Sequence, residues 1–163
     1  MKLFIFTLIV IVNATFVNAK DNSPYIEFFE NKQAGTKDLP FSEAVRVGNL
    51  LFLSGQLGVD TKTGKLVKGG LKSEAKQTMD NIKQTLETYG YSMKDVVKCT
   101  VMLADISQWQ TFNEIYVTYF SKPYPARSAF GANGLGLNAQ LEVECIAAKA
   151  DDKRMGRFRL LSE

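Results

Sequence analysis

Arg127 and Glu142 are the two residues of this chain whose types and setting suggest chemistry done together. Arg127 sits in Pro-Tyr-Pro-Ala-Arg-Ser-Ala-Phe and Glu142 in Gln-Leu-Glu-Val-Glu-Cys, two strand-like runs within residues 123–145 joined by a Gly-rich turn. A guanidinium is a planar fork of donors that matches a carboxylate in a bidentate pair, a geometry that lysine does not offer. A glutamate can hold a water or take a proton from it. The pair therefore suggests a small carboxylic acid that is bound and hydrolysed. Each residue alone has a plainer reading: a strand arginine in a surface ion pair, and a solvated carboxylate or an ion pair of Glu142 with Lys98.

Composition narrows the chemistry. The chain contains no histidine, which excludes Ser-His-Asp and Cys-His catalysis, an imidazole metal site and a histidine pH switch. With only Cys99 and Cys145 besides, neither a zinc site nor any cofactor is expected. Both cysteines fall on the apolar side of strand-like alternations. Buried free thiols are the expectation, and one disulfide between neighbouring strands is the alternative. A length of 163 residues, 45% hydrophobic and 23% charged, suits one globular domain. The net charge is +3, and without residues 1–19, where Lys2 is the only charge, 19 basic against 17 acidic groups leave +2. That balance does not suit a nucleic-acid partner.

Residues 1–19 differ from the rest: one lysine, an apolar run and then Asn-Ala-Thr-Phe-Val-Asn-Ala. This reads as a secretory signal peptide cleaved after Ala19, because the apolar run is shorter than the roughly 20 residues that span a bilayer. The expected protein is exported, periplasmic or secreted, with no membrane segment after cleavage; a membrane anchor is the alternative. Residues 20–37 form an N-terminal extension whose one apolar run, residues 25–29, suits an edge strand or the surface. Residues 38–150 form the folded domain, and residues 151–163, with Arg154, Arg157 and Arg159, a charged tail.

Within the domain, residues 42–54 read as a hairpin about Gly48-Asn49. Residues 73–89 carry apolar positions at helical spacing, with Ser73 as N-cap and Gly90 as C-terminal stop. Residues 96–103 read as a strand with Val97, Cys99, Val101 and Leu103 facing the core. Residues 107–120 place Trp109, Phe112, Tyr116 and Tyr119 along one face of a second helix, read as core. Residues 131–136 form a turn rather than a phosphate loop, since no helical pattern follows. On residues 141–149 the alternation turns Leu141, Val143, Cys145 and Ala147 toward the helices and Glu142 and Glu144 to the other face, which Thr100, Met102 and Ile146 share. The fold class is α+β, a mostly antiparallel sheet covered on one face by two helices. The mixed polarity of the uncovered face suits water or a subunit interface.

The motifs Leu53-Ser54-Gly55-Gln56, Asp80-Asn81-Ile82, Val97-Lys98-Cys99-Thr100-Val101, Phe112-Asn113-Glu114-Ile115-Tyr116, Pro125-Ala126-Arg127-Ser128 and Leu141-Glu142-Val143-Glu144 resemble, in order and spacing, those of the RidA/YjgF family over residues 38–149. The resemblance implies a chorismate-mutase-like sandwich assembled as a homotrimer with clefts between subunits. It implies the activity of a 2-iminobutanoate/2-iminopropanoate deaminase, which converts a small 2-imino acid and water to a 2-oxo acid and ammonia. By position, Arg127 would bind the carboxylate and Glu142 would position or activate the water. Ser54, Gly55 and Asn113 would line the cleft, and Tyr116 would line it from the helix or pack in the core. Phe41, in Leu39-Pro40-Phe41, stands where many members place a tyrosine, so that hydroxyl is lost; Ala129 stands where many place a reactive cysteine. A trimeric module that binds small 2-oxo or related carboxylic acids without turnover is the alternative. A nuclease reading, also attached to relatives, would need a basic stripe and stacking aromatics.

Overall fold

The structure is a computed structural model that describes residues 24–30 and 39–150. The expected signal peptide, its cleavage after Ala19, most of residues 20–37 and the charged tail lie outside the described residues.

Two long alternating runs build the centre of the sheet. β7 (Val96–Leu103) and β9 (Leu141–Ala148) pair antiparallel. Their inward residues, Cys99, Val101, Leu103, Leu141, Val143, Cys145 and Ala147, are all exposed by 1% or less. The expected hairpin is present as β2 (Ala44–Val47) and β3 (Leu50–Leu53), and β3 extends the sheet from β9. β1 (Ile26–Phe29) adds the outer strand that the apolar run in the extension allowed. A short β4 (Gln56–Leu57) also lies on β9, and β5 (Val59–Asp60) pairs with β6 (Lys65–Leu66) apart from the main sheet. β8 (Ala126–Gly131) closes the other edge, giving the order β1-β2-β3-β9-β7-β8. Among the described residues every pairing is antiparallel except that of β8 with β7.

α1 (Gly70–Thr88) and α2 (Trp109–Tyr116) cover one face, as the hydrophobic patterns imply. α1 buries Leu71, Ala75, Met79, Ile82 and Leu86 along one stripe, each large aliphatic contributing on the order of 1.5–3 kcal/mol by leaving water. Its start differs from expectation. The helix begins three residues before Ser73, after Gly69 at φ 117, a backbone that glycine adopts at little cost. Ser73 makes no capping bond. Two polar side chains then tie α1 to the strands beneath it. The buried Asn81 amide donates to the carbonyls of Leu57 and Val59 at 3.0 and 2.9 Å. The buried Glu74 carboxylate accepts from the Gln140 backbone N–H at 2.8 Å, just ahead of β9.

Three further expectations are corrected. The cysteines are not free: Cys99 and Cys145 form a disulfide across β7 and β9. The register sets them directly opposite, their Cα atoms 4.1 Å apart and both side chains turned inward, a proximity that reading each run separately does not expose. Val97 is 47% exposed, because a register shift between Val96 and Lys98 turns Val96 inward instead. The second helix is shorter than residues 107–120: a 3-10 turn at Ile106–Gln108, where the Asp105 side chain accepts from the Ser107 N–H, leads into α2. Phe112 and Tyr116 are core, but Trp109 is 43% exposed.

Candidate active site

Arg127 owes its surroundings to the parallel pairing of β8. That register sets it opposite Cys99, whose side chain points under the helices, so Arg127 rises on the same face and meets α2. Phe112, Asn113 and Tyr116 share one side of the helix by i, i+3 and i, i+4 spacing, with Trp109 one turn before. The Arg127 Nη2 donates to Asn113 Oδ1 at 2.7 Å. Its guanidinium carbon lies 4.6 Å from the Tyr116 ring centroid, 5.6 Å from Trp109 and 5.9 Å from Phe112. These contacts stiffen the side chain and attract its charge. Among the described residues no carboxylate lies in ion-pair range of it, so the surface ion pair is not what Arg127 makes.

Arg127 stands between two cavities. One, of about 320 Å³, is lined by Asn113, Tyr116, Val117, Tyr124, Pro125 and Arg127. The Tyr116 hydroxyl is buried without a hydrogen-bond partner, a state that costs about 1–3 kcal/mol. Burial pushes the Tyr116 phenol up, against the opposing pull of the Arg127 charge, so it stays a neutral donor. The other cavity, of about 410 Å³, is lined by Ile106, Trp109, Ala129 and Arg127.

Glu142 belongs to the opposite face. It pairs with Met102 of β7 and Leu57 of β4 and points away from the helices, half-buried beside Glu144. Burial, and then the charge of Glu144, raise its carboxyl above the ordinary glutamate value, which makes its anion a stronger base. Gly55 is a glycine for this carboxylate: a Cβ there would collide with the Glu142 side chain, whose Cδ lies 2.7 Å from that position. Ser54 precedes it, its hydroxyl donating to the Ser42 carbonyl at 2.7 Å. Lys98 does not pair with Glu142; its ammonium donates to Ser128 Oγ at 2.7 Å. Phe41, one residue before Ser42, is 55% exposed.

The predicted residues thus fall into two groups. Arg127, Asn113 and Tyr116 meet at the α2–β8 edge; Glu142 and Gly55 meet on the uncovered face, with Ser54 next to them. The registers separate Arg127 from Glu142 by two strand spacings and three residues, roughly 14 Å between Cα atoms on opposite faces of the sheet. Within one chain they cannot touch the same small molecule. Trp109, Ile106 and Tyr124 are site-lining residues that reading the sequence missed. Helical spacing matches Trp109 to Phe112 and Tyr116 and so predicts it in the core; the pair of prolines around Tyr124 is the signal that projects that residue outward.

The chain matches the family model described as Endoribonuclease L-PSP over residues 32–149. It is 43% identical over 110 residues to a 2-iminobutanoate/2-iminopropanoate deaminase of Bos taurus, covering 68% of this chain and 80% of that one. Its fold matches a putative endoribonuclease of Thermotoga maritima with a TM-score of 0.71 and 40% identity, over 77% of this chain and 98% of that one. It also matches Escherichia coli TdcF with bound serine, with a TM-score of 0.69 and 29% identity, over 76% of this chain and 99% of that one.

Proposed function

This chain belongs to the Endoribonuclease L-PSP family, which includes the RidA/YjgF proteins, and on that premise we propose that it hydrolyses reactive 2-imino acids to 2-oxo acids and ammonia in clefts between the subunits of a homotrimer. The observation that carries this reading is the Arg127 guanidinium, held by Asn113 and an aromatic wall yet free of any carboxylate among the described residues. Such a fork suits a substrate carboxylate. The naming of the bovine relative as an imine deaminase, and serine in the TdcF structure, support a small substrate bearing carboxylate and nitrogen.

In this reading the imino-acid carboxylate docks on Arg127, with the Asn113 amide beside the imine. Glu142 holds a water and takes its proton as the oxygen bonds to the imine carbon. The proton then passes to nitrogen, the C–N bond of the resulting carbinolamine breaks as the hydroxyl returns its proton to the Glu142 carboxylate, and ammonia and the 2-oxo acid leave. Because a protonated imine hydrolyses readily, positioning supplies most of what is needed. The Glu142 that meets a given Arg127 comes from the neighbouring copy, since the two stand on opposite faces of one chain. The uncovered face supports that assembly: Ile26, Phe28, Val45, Phe52, Ile146 and Phe130 form an apolar frame around Glu142 and Glu144, with Phe28 69% exposed. The Cys99–Cys145 disulfide supports export, since such bonds persist in oxidising compartments.

Ammonia release from 2-iminobutanoate, generated in situ by threonine dehydratase, tests the reading with Arg127→Ala as control. Acceleration by wild type and a loss of about 10²–10³-fold in the variant are expected, the size of removing one partner of a buried charge pair. Equal rates with and without the protein sink catalysis, and retained binding of 2-oxobutanoate would then identify a carboxylic-acid binding module. The nuclease activity in the family's description is met by two carboxylates, Glu142 and Glu144, on the uncovered face, where Lys98 is already engaged by Ser128, a poor surface for phosphates.

A further inference from the structure

The cavity lined by Ile106, Trp109 and Ala129 is unused by the mechanism above. Resting on the reading of Arg127 as the carboxylate anchor, we propose that this cavity is the side-chain subsite, and that the preferred substrates are 2-imino acids with branched or aromatic side chains.

The two cavities that share Arg127 differ in chemistry. The one beside α2 and the proline segment is lined by Asn113, Tyr116 and Tyr124, all with polar side-chain groups. Those groups suit a polar imine carbon, its nitrogen and a water. The other presents an indole face, the Ile106 side chain and the Ala129 methyl, with Arg127 its only charged wall. A molecule whose carboxylate sits on the guanidinium has its imine and its side chain diverging from the next carbon, and Arg127 lines both cavities. The space is an open groove, and an isobutyl or benzyl group lying along Trp109 and Ile106 would cover more of its apolar surface than an ethyl group does. The small Ala129 keeps the space open, because its methyl points the same way as Arg127 two residues earlier along β8. Ile106 and Trp109 are both partly exposed, so their apolar surface awaits cover, and a substrate side chain held against Arg127 supplies it.

Trp109 is the only tryptophan in the sequence, so emission reports occupancy of this cavity. The purified full chain would be titrated with 2-oxobutanoate and with 4-methyl-2-oxopentanoate, reading Trp109 fluorescence. The longer acid adds two carbons, and burying them is expected to tighten binding about tenfold. The same preference should appear in kcat/KM for the imines that an L-amino-acid oxidase makes from leucine and from 2-aminobutyrate. Ala129→Leu should collapse the ratio between the two, and so should Ile106→Ser, which alters only an exposed side chain and guards against misfolding of the first variant. Trp109→Phe should retain the ratio in kcat/KM and Trp109→Ala should lose it. Equal affinities for the two acids, or a ratio that neither Ala129→Leu nor Ile106→Ser moves, overturns the subsite. If no imine is hydrolysed faster but the binding preference persists, deamination fails and the subsite stands.

Discussion

The Arg127 edge and the Glu142 face are prepared differently. At the edge, one chain supplies everything an anion needs: Asn113 fixes the guanidinium, Tyr116 lies beside it, and cavities open on either side. On the uncovered face, Glu142 is packed over Gly55 and crowded by Glu144, and among the described residues no side chain donates to it. The contrast teaches that the guanidinium is preorganised within a chain, whereas the carboxylate is left without a partner on a face that nothing among the described residues covers. An unpaired, partly desolvated carboxylate is costly for stability and useful for taking a proton.

Glu142→Gln is the sharpest way to separate the two regions. It should lower kcat for 2-iminobutanoate by about 10²–10⁴-fold, the usual worth of a general base, while Trp109 fluorescence still reports binding of 2-oxobutanoate. Loss of both would break the division between an anchoring edge and a reacting face. The disulfide joins the two regions, since β7 underlies Arg127 and β9 carries Glu142. Closing a loop of 46 residues, it contributes about 4 kcal/mol by limiting the unfolded chain. Urea unfolding of the Cys99→Ala/Cys145→Ala chain should show a loss approaching that size, and a midpoint unchanged from wild type would remove its structural role. The smallest effect concerns protonation. Glu142 has its carboxyl raised in the folded state, so its contribution is present below the ordinary glutamate value and is lost as pH rises through the raised one. Glu142→Gln should therefore unfold at slightly higher urea than wild type at pH 7, with the gap closing at pH 4. A gap that widens in acid would contradict the burial of this carboxylate.

Much of the fold was legible because it is written in short-range alternation. The inward set of β9 and the outward turn of Glu142 and Glu144 follow from period two alone, and the buried stripe of α1 follows from its helical spacing. The start of α1 is not legible in the same way, because Ser73 suggests a cap while Gly69 makes the turn. The exposure of Trp109 is hidden for a related reason: helical spacing names a face of α2, but how far the core extends beneath that face depends on where β8 lies.

The sequence by itself determined the fold class, the succession of the main strands and helices along the chain, the absence of histidine chemistry, and a set of candidate site residues. Only the tertiary structure decided which of them meet. Register and strand order are set by contacts between residues far apart in the chain, and these placed Cys99 against Cys145. The parallel pairing of β8 raised Arg127 toward α2, and the antiparallel pairing of β9 turned Glu142 to the other face. Side-chain direction alternates along a strand, so one step of register decides the face on which a charged group emerges.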